Sequence, residues 1–111
     1  MNNKFGEIIN YYGVDNQQRK LAEEVQELQE AITEYEVTDR YDTFGFRRLE
    51  NRKHIAEECA DVIVLVRQII AYYDINTEDV KNVMRFKVDR QLKRIGLHER
   101  TECTDEDNEL H

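Results

Sequence analysis

The sequence contains no proline and only four glycines among its 111 residues. Glycine and proline mark tight turns and loops, so their scarcity argues against a loop-rich or all-β chain. Only two cysteines are present. Cys59 lies in a helical pattern and Cys103 in a polar segment, so we do not expect a disulfide framework. The length suits one small domain and leaves no room for two hydrophobic cores.

Long apolar runs are also missing. No run approaches the roughly 20 residues that a transmembrane helix needs, and the polar N-terminal segment, residues 1–6, lacks the apolar stretch of a signal peptide. We therefore expect a cytoplasmic protein that does not act at membranes.

Excess positive charge is absent as well. The chain has 24 acidic and 16 basic residues and a net charge of -8, whereas a general nucleic-acid binder is normally basic. Six acidic residues and one arginine lie in residues 97–111, so this segment carries -5 of the total. We predict a helical domain over residues 1–96 and a disordered acidic tail over residues 97–111.

Apolar residues recur at helical spacing in four segments. They cover about residues 3–12, 15–36, 47–73 and 76–96, with Asp15 as the expected N-cap of the second helix and a loop from Val37 to Phe46. The pattern predicts an all-α fold that resembles a four-helix bundle. The third segment is apolar on more than one side, as in residues 62–66, so we expect it to be covered by a second copy in a homo-oligomer.

Two segments of eight residues, one on the second and one on the third predicted helix, have the same order of apolar, alanine and acidic residues. A helix advances about 100° per residue, so in each segment two acidic residues share a face beside the apolar stripe. These residues are Glu24 and Glu27 on one helix, and Glu58 and Asp61 on the other.

The two acidic pairs would face each other if the helices pack antiparallel. Two carboxylates about 5 Å apart repel by roughly 3 kcal/mol at an effective dielectric near 20. Four of them approach ~10 kcal/mol, which is comparable to the stability of a small domain. Protonation, nearby cations or a bound metal must relieve this repulsion, and an all-oxygen ligand set suits Mg²⁺ or Mn²⁺. The alternative is that both faces are simply solvated.

The basic residues near these acids fit two interpretations. Lys87, Gln91 and Arg94 lie at i, i+4 and i+7 on the fourth predicted helix, and Lys20 precedes Glu24 by four residues. Beside a metal cluster such donors suit a polyphosphate. Alternatively, Lys87 and Arg94 pair with acidic residues of a neighbouring helix.

His54 precedes Glu58 by four residues and shares its face. It contacts a metal or a phosphate, or it is an ordinary half-exposed histidine. No glutamate of the predicted bundle is followed by a histidine at the Glu-x-x-His spacing of diiron proteins. The sequence also shows no Ser-His-Asp or Cys-His set and no glycine-rich phosphate loop, so neither a covalent intermediate nor a P-loop enzyme is expected.

The acidic motifs resemble those of the MazG-like all-α nucleoside triphosphate pyrophosphohydrolases. Glu24-x-x-Glu27 and Glu58-x-x-Asp61 are each preceded by another glutamate, as in that family. The spacing of Lys87, Gln91 and Arg94 is similar to the family's Lys-x-x-x-Asn-x-x-Arg element, with glutamine in place of asparagine. The resemblance covers roughly residues 5–96, and the 30 residues between the two acidic motifs are more than usual.

The resemblance implies hydrolysis of a ribo- or deoxynucleoside triphosphate to the monophosphate and pyrophosphate, with Mg²⁺ or Mn²⁺, by a homodimer or homotetramer. The implied metal ligands are Glu24, Glu27, Glu58 and Asp61. The implied phosphate contacts are Lys20, Lys87, Gln91 and Arg94. Glu24 or Glu27 would accept the proton from water. Two other interpretations stay open, a phosphoribosyl-ATP pyrophosphohydrolase and a helical interaction module without catalysis.

Overall fold

The computed structural model describes residues 3–42 and 44–96, and every regular element in them is helical. The all-α prediction is therefore confirmed. The four helices are α1 (Lys4–Tyr12), α2 (Val14–Tyr41), α3 (Phe46–Tyr72) and α4 (Thr77–Arg94).

The first two helices meet at a single glycine. The Asn3 side chain caps α1 by accepting hydrogen bonds from the backbone N–H groups of Phe5 and Gly6. Gly13 ends α1 with a φ of +94° and directly precedes α2, which has no side-chain cap. The prediction that Asp15 caps α2 is wrong, because Asp15 lies inside the first turn, where its charge favours the helix dipole.

The connection between α2 and α3 is shorter than predicted. The second helix continues to Tyr41, so residues 37–41 are helical instead of part of a loop. Arg48 ties the two helices together, because its Nε lies 3.2 Å from Asp39 Oδ1 and its backbone N–H donates to Asp42 Oδ2 at 2.9 Å. Gly45, which has an αL conformation, then directly precedes α3.

Helices α2 and α3 pack against each other and run antiparallel. The start of α2 contacts the end of α3 through Gln17 and Gln68, and the middle of α2 meets the first half of α3 at Glu24 and Glu58. Helix α1 packs on both. The buried apolar side chains are few among the described residues, and they are Ile9, Ala31 and Leu65.

The chain divides into two compact units, Met1–Asp74 and Ile75–His111. The first contains α1, α2 and α3. In the second, Asn76 caps α4 by accepting from the backbone N–H of Glu78 at 2.8 Å, as the predicted start at residues 76–77 requires. The single helical domain over residues 1–96 stays a prediction, and the acidic tail predicted at residues 97–111 lies outside the described residues. Within the described ranges, no helix combines the length and the apolar character of a membrane span.

Candidate metal centre

The antiparallel packing of α2 and α3 brings three carboxylates together. Glu24 and Glu27 are three residues apart on α2, which places their Cβ atoms about 5–6 Å apart on one face. Glu58 comes from α3. One oxygen from each of the three side chains lies within 4.8 Å of the others. This spacing is close enough for one cation to contact all three.

Two of these carboxylates are largely removed from solvent. The Glu24 side chain is 8% exposed and the Glu58 side chain 12% exposed, whereas Glu27 is exposed. The cluster is therefore partly buried, with two carboxylates shielded from solvent and one exposed.

Each buried glutamate has a basic residue one helical turn before it. Lys20 Nζ lies 3.4 Å from Glu24 Oε2, and His54 Nε2 lies 3.1 Å from Glu58 Oε2. In both carboxylates the other oxygen, Oε1, is buried and has no hydrogen-bond partner. The two helices thus repeat one arrangement, in which one oxygen is paired and one is left open.

The neighbouring carboxylates shift the pKa of Glu27. The charge of Glu24 raises the pKa of Glu27 above its usual value, and desolvation and the charge of Glu58 act in the same direction. Lys20 opposes this shift only in part. The direction shows that the cluster favours a bound proton or another positive charge at this point.

The donor set fits a divalent cation. Unpaired buried carboxylate oxygens are costly in a folded protein, and those of Glu24 and Glu58 belong to the same three-carboxylate cluster as Glu27. A cation in this cluster would give both oxygens a partner. Oxygen ligands without histidine or cysteine suit Mg²⁺ or Mn²⁺.

The other predicted site residues are placed differently. Asp61, the fourth predicted ligand, is exposed and does not belong to the three-carboxylate cluster. Lys87, Gln91 and Arg94 are exposed on α4 in the second unit. Neither Lys87 nor Arg94 forms an ion pair with any residue that the structure describes. Their contact with phosphate stays a prediction.

One buried polar pair on the same two helices as the cluster escaped the sequence analysis. Gln17 Nε2 donates to Gln68 Oε1 at 2.9 Å, and both side chains are buried between α2 and α3. A signal was present in the sequence, because Gln17 precedes Glu24 by seven residues and so lies on the same helical face.

The comparisons with known proteins point to one family. The family model of the MazG nucleotide pyrophosphohydrolase domain matches residues 14–95. This range contains the three clustered glutamates and the basic residues of α4. No curated protein and no solved structure matches the chain.

Proposed function

Since the chain belongs to the MazG nucleotide pyrophosphohydrolase family, we propose that it is a divalent-metal-dependent enzyme that hydrolyses a nucleoside triphosphate to the monophosphate and pyrophosphate. The substrate is a ribo- or a deoxynucleotide. The observation that carries this proposal is the cluster of Glu24, Glu27 and Glu58, in which two buried carboxylate oxygens have no partner.

The reaction consumes one water molecule. Its oxygen forms a bond to the α-phosphorus, and the bond from that phosphorus to the oxygen bridging the β-phosphate breaks. The electron pair leaves with the pyrophosphate, and the proton of the water passes to a carboxylate. A divalent ion bound by the cluster supplies charge neutralisation at the phosphate oxygens and lowers the pKa of water.

Glu27 is the proton acceptor in this proposal. Only one of its oxygens needs to contact the shared cation, so the other is available to accept a proton. Glu27 is also exposed, so the proton can pass on to solvent. Glu24 is more deeply buried and serves as a metal ligand.

The remaining residues complete the site. Glu58 is a metal ligand, and Asp61 would join after a change of side-chain rotamer or on binding of substrate. Cationic side chains hold phosphate oxygens, and Gln91 adds an amide donor. The proposed phosphate contacts are Lys20, Lys87, Gln91 and Arg94.

The exposed side of α3 supports a homodimer or homotetramer. Ile63, Val64 and Val66 are 56%, 40% and 40% exposed, although a helix that is apolar on several sides normally packs on all of them. A second copy that covers this surface would bury it in a symmetric interface.

The test is a product assay. The protein is incubated with Mg²⁺ and a panel of ribo- and deoxynucleoside triphosphates, with phosphoribosyl-ATP included. We expect monophosphate and pyrophosphate in equal amounts, loss of activity with a chelator, and ¹⁸O from labelled water in the monophosphate. Release of orthophosphate and a diphosphate would contradict the proposal. Turnover of phosphoribosyl-ATP alone would assign the alternative substrate, and no turnover of any nucleotide would favour an interaction module.

A further inference from the structure

The hydrogen bond between Gln17 and Gln68 is the only buried side-chain hydrogen bond between α2 and α3 in residues 3–42 and 44–96. The other direct polar contact between side chains of these helices, the ion pair of Asp39 and Arg48, is half-exposed and lies next to the turn. Gln17 is 8% exposed and Gln68 only 2%. Apolar residues normally fill such positions. Two amides at this point therefore call for an explanation beyond packing.

The bond between Gln17 and Gln68 lies at a defined distance from the acidic cluster along the same two helices. From Gln17 to Glu27 is ten residues along α2, and from Glu58 to Gln68 is ten residues along α3. Because the helices are antiparallel and Gln17 lies opposite Gln68, the residues ten positions away on each helix, Glu27 and Glu58, also lie opposite each other. The amide pair is thus displaced from the pair of Glu27 and Glu58 by about 15 Å along both helix axes.

Apolar contacts hold two helices together without fixing one axial position strongly. A helix that slides past its partner exchanges one apolar neighbour for another at a modest cost. A buried amide is different, because sliding removes its partner and leaves a polar group unsatisfied. Buried polar pairs are accordingly known to define the register of packed helices.

Register matters here because the three carboxylates come from two helices. Mg²⁺ requires near-ideal octahedral geometry with short bonds to oxygen, and functional groups must be held within about 0.5 Å of their working positions. The carboxylates repel one another while no cation is bound. They cannot hold the register of the metal-free protein themselves.

We propose that the hydrogen bond between Gln17 and Gln68 sets the register of α2 against α3 and thereby positions Glu27 and Glu58 for a shared cation. The two glutamines are positioning residues and do not contact the substrate. The inference about register stands on the metal-free structure, and only its consequence for cation binding rests on the proposed function.

The first test measures register without metal. The double variant Q17M/Q68M keeps the side-chain size and removes the hydrogen bond, and Q29M changes an exposed glutamine on α2 as the control. Spin labels are attached to D15C and A56C, two exposed positions, after both native cysteines are replaced. Labelled protein is diluted with unlabelled protein so that only distances within one chain are measured.

We expect one narrow distance in the parent and in Q29M. In Q17M/Q68M we expect a broadened distribution or a second distance displaced by about 5 Å, the rise of one helical turn, with the melting temperature unchanged or higher. An unchanged distance distribution in the double variant would overturn the inference. This holds even if the melting temperature falls, because glutamines that only stabilise the packing would lower the melting temperature without changing the distance.

The second test measures Mn²⁺ affinity by electron paramagnetic resonance on the same proteins without spin labels. We expect Q17M/Q68M to bind Mn²⁺ about tenfold more weakly, as is typical when residues that orient metal ligands are lost, and Q29M to bind normally. A moved register with unchanged affinity would overturn the link to the cation. If the parent protein itself does not bind Mn²⁺, the proposed function fails, while the distance measurement still decides whether the glutamines set the register.

Discussion

At the scale of single residues, the two carboxylate oxygens of Glu24 have different surroundings, and the same is true of Glu58. In both Glu24 and Glu58, Oε2 contacts a basic side chain of its own helix and Oε1 is left without a partner. The partner of Glu24 is a lysine, and the partner of Glu58 is a histidine, which is charged only when it is protonated. The basic residues compensate part of the negative charge and leave the cluster acidic enough to need a cation.

Glu58→Gln is expected to lower turnover at least about a hundredfold, because it removes a charged metal ligand. The fold should be retained or become more stable, since like-charge repulsion in the cluster decreases. Steady-state kinetics and thermal unfolding of the metal-free protein measure the two effects.

The matched control for this variant is Glu57→Gln. Glu57 is the exposed neighbour of Glu58 on α3, and its loss should leave both turnover and melting temperature nearly unchanged. Normal hydrolysis by the Glu58 variant, or loss of folding with the activity per folded molecule retained, would refute the assignment of Glu58 as a ligand.

The raised pKa of Glu27 predicts a pH dependence of stability. Between the ordinary value of 4.5 and its raised pKa in the folded protein, the folded state binds more protons than the unfolded state. The contribution of Glu27 to the free energy of unfolding therefore decreases as the pH rises through this window, and it stays reduced above it.

Glu27→Gln removes this effect. Urea unfolding of the metal-free protein at pH 4 to 8 should show the variant gaining stability over the parent as the pH rises, with Glu23→Gln as the exposed control. A stability difference that does not change with pH would contradict the raised pKa.

At the scale of elements, the turn between α2 and α3 begins later along the chain than the sequence pattern predicts. The helical apolar pattern breaks after residue 36 and Gly45 follows, which predicted a loop from Val37 to Phe46. The helix continues through residues 37–41, and Asp39 and Asp42 both contact Arg48 across the turn.

Asp42→Ala should destabilise the protein by about 1 kcal/mol, because the side chain of Asp42 accepts a hydrogen bond from a backbone N–H in the first turn of α3, as a helix cap does. Asp39→Ala removes only a half-exposed ion pair and should cost less than about 0.5 kcal/mol. Urea unfolding of both variants checks this order, and equal losses would show that the capping bond is not important.

At the scale of the whole molecule, the charge of the cluster links cation binding to folding. Millimolar Mg²⁺ should raise the melting temperature, because a ligand that binds only the folded state stabilises it, by about 2.7 kcal/mol at 100 times its Kd. Thermal scans with and without Mg²⁺ measure the shift, and Glu58→Gln should abolish it. A parent protein that melts at the same temperature in both conditions would favour the interaction module.

The exposed apolar side of α3 predicts an oligomer. The chain has a mass of 13.3 kDa, so light scattering at micromolar concentration should give twice or four times this value. Ile63→Glu places a charge on the exposed apolar surface and should shift the protein toward the monomer, whereas Glu57→Gln on the same helix should not. A monomeric mass of the parent would refute the proposed assembly.

The sequence by itself determined the helical class and the existence of four helices, because helical periodicity and capping depend on residues that are close along the chain. It also determined that Glu24 and Glu27 share a face, since three residues on one helix fix that geometry. The ends of α2 were predicted less well, because its start follows Gly13 without a side-chain cap and its last turn continues past the end of the apolar pattern.

Only the tertiary structure decided which carboxylates meet. Glu58 joins the cluster and Asp61 stays outside it, although both lie on the same face of α3, because the outcome depends on the rotation and axial position of α3 relative to α2. The contact of Gln17 with Gln68, 51 residues apart in the chain, is of the same kind. Register between two helices is a property of their packing, and no local pattern in either helix specifies it.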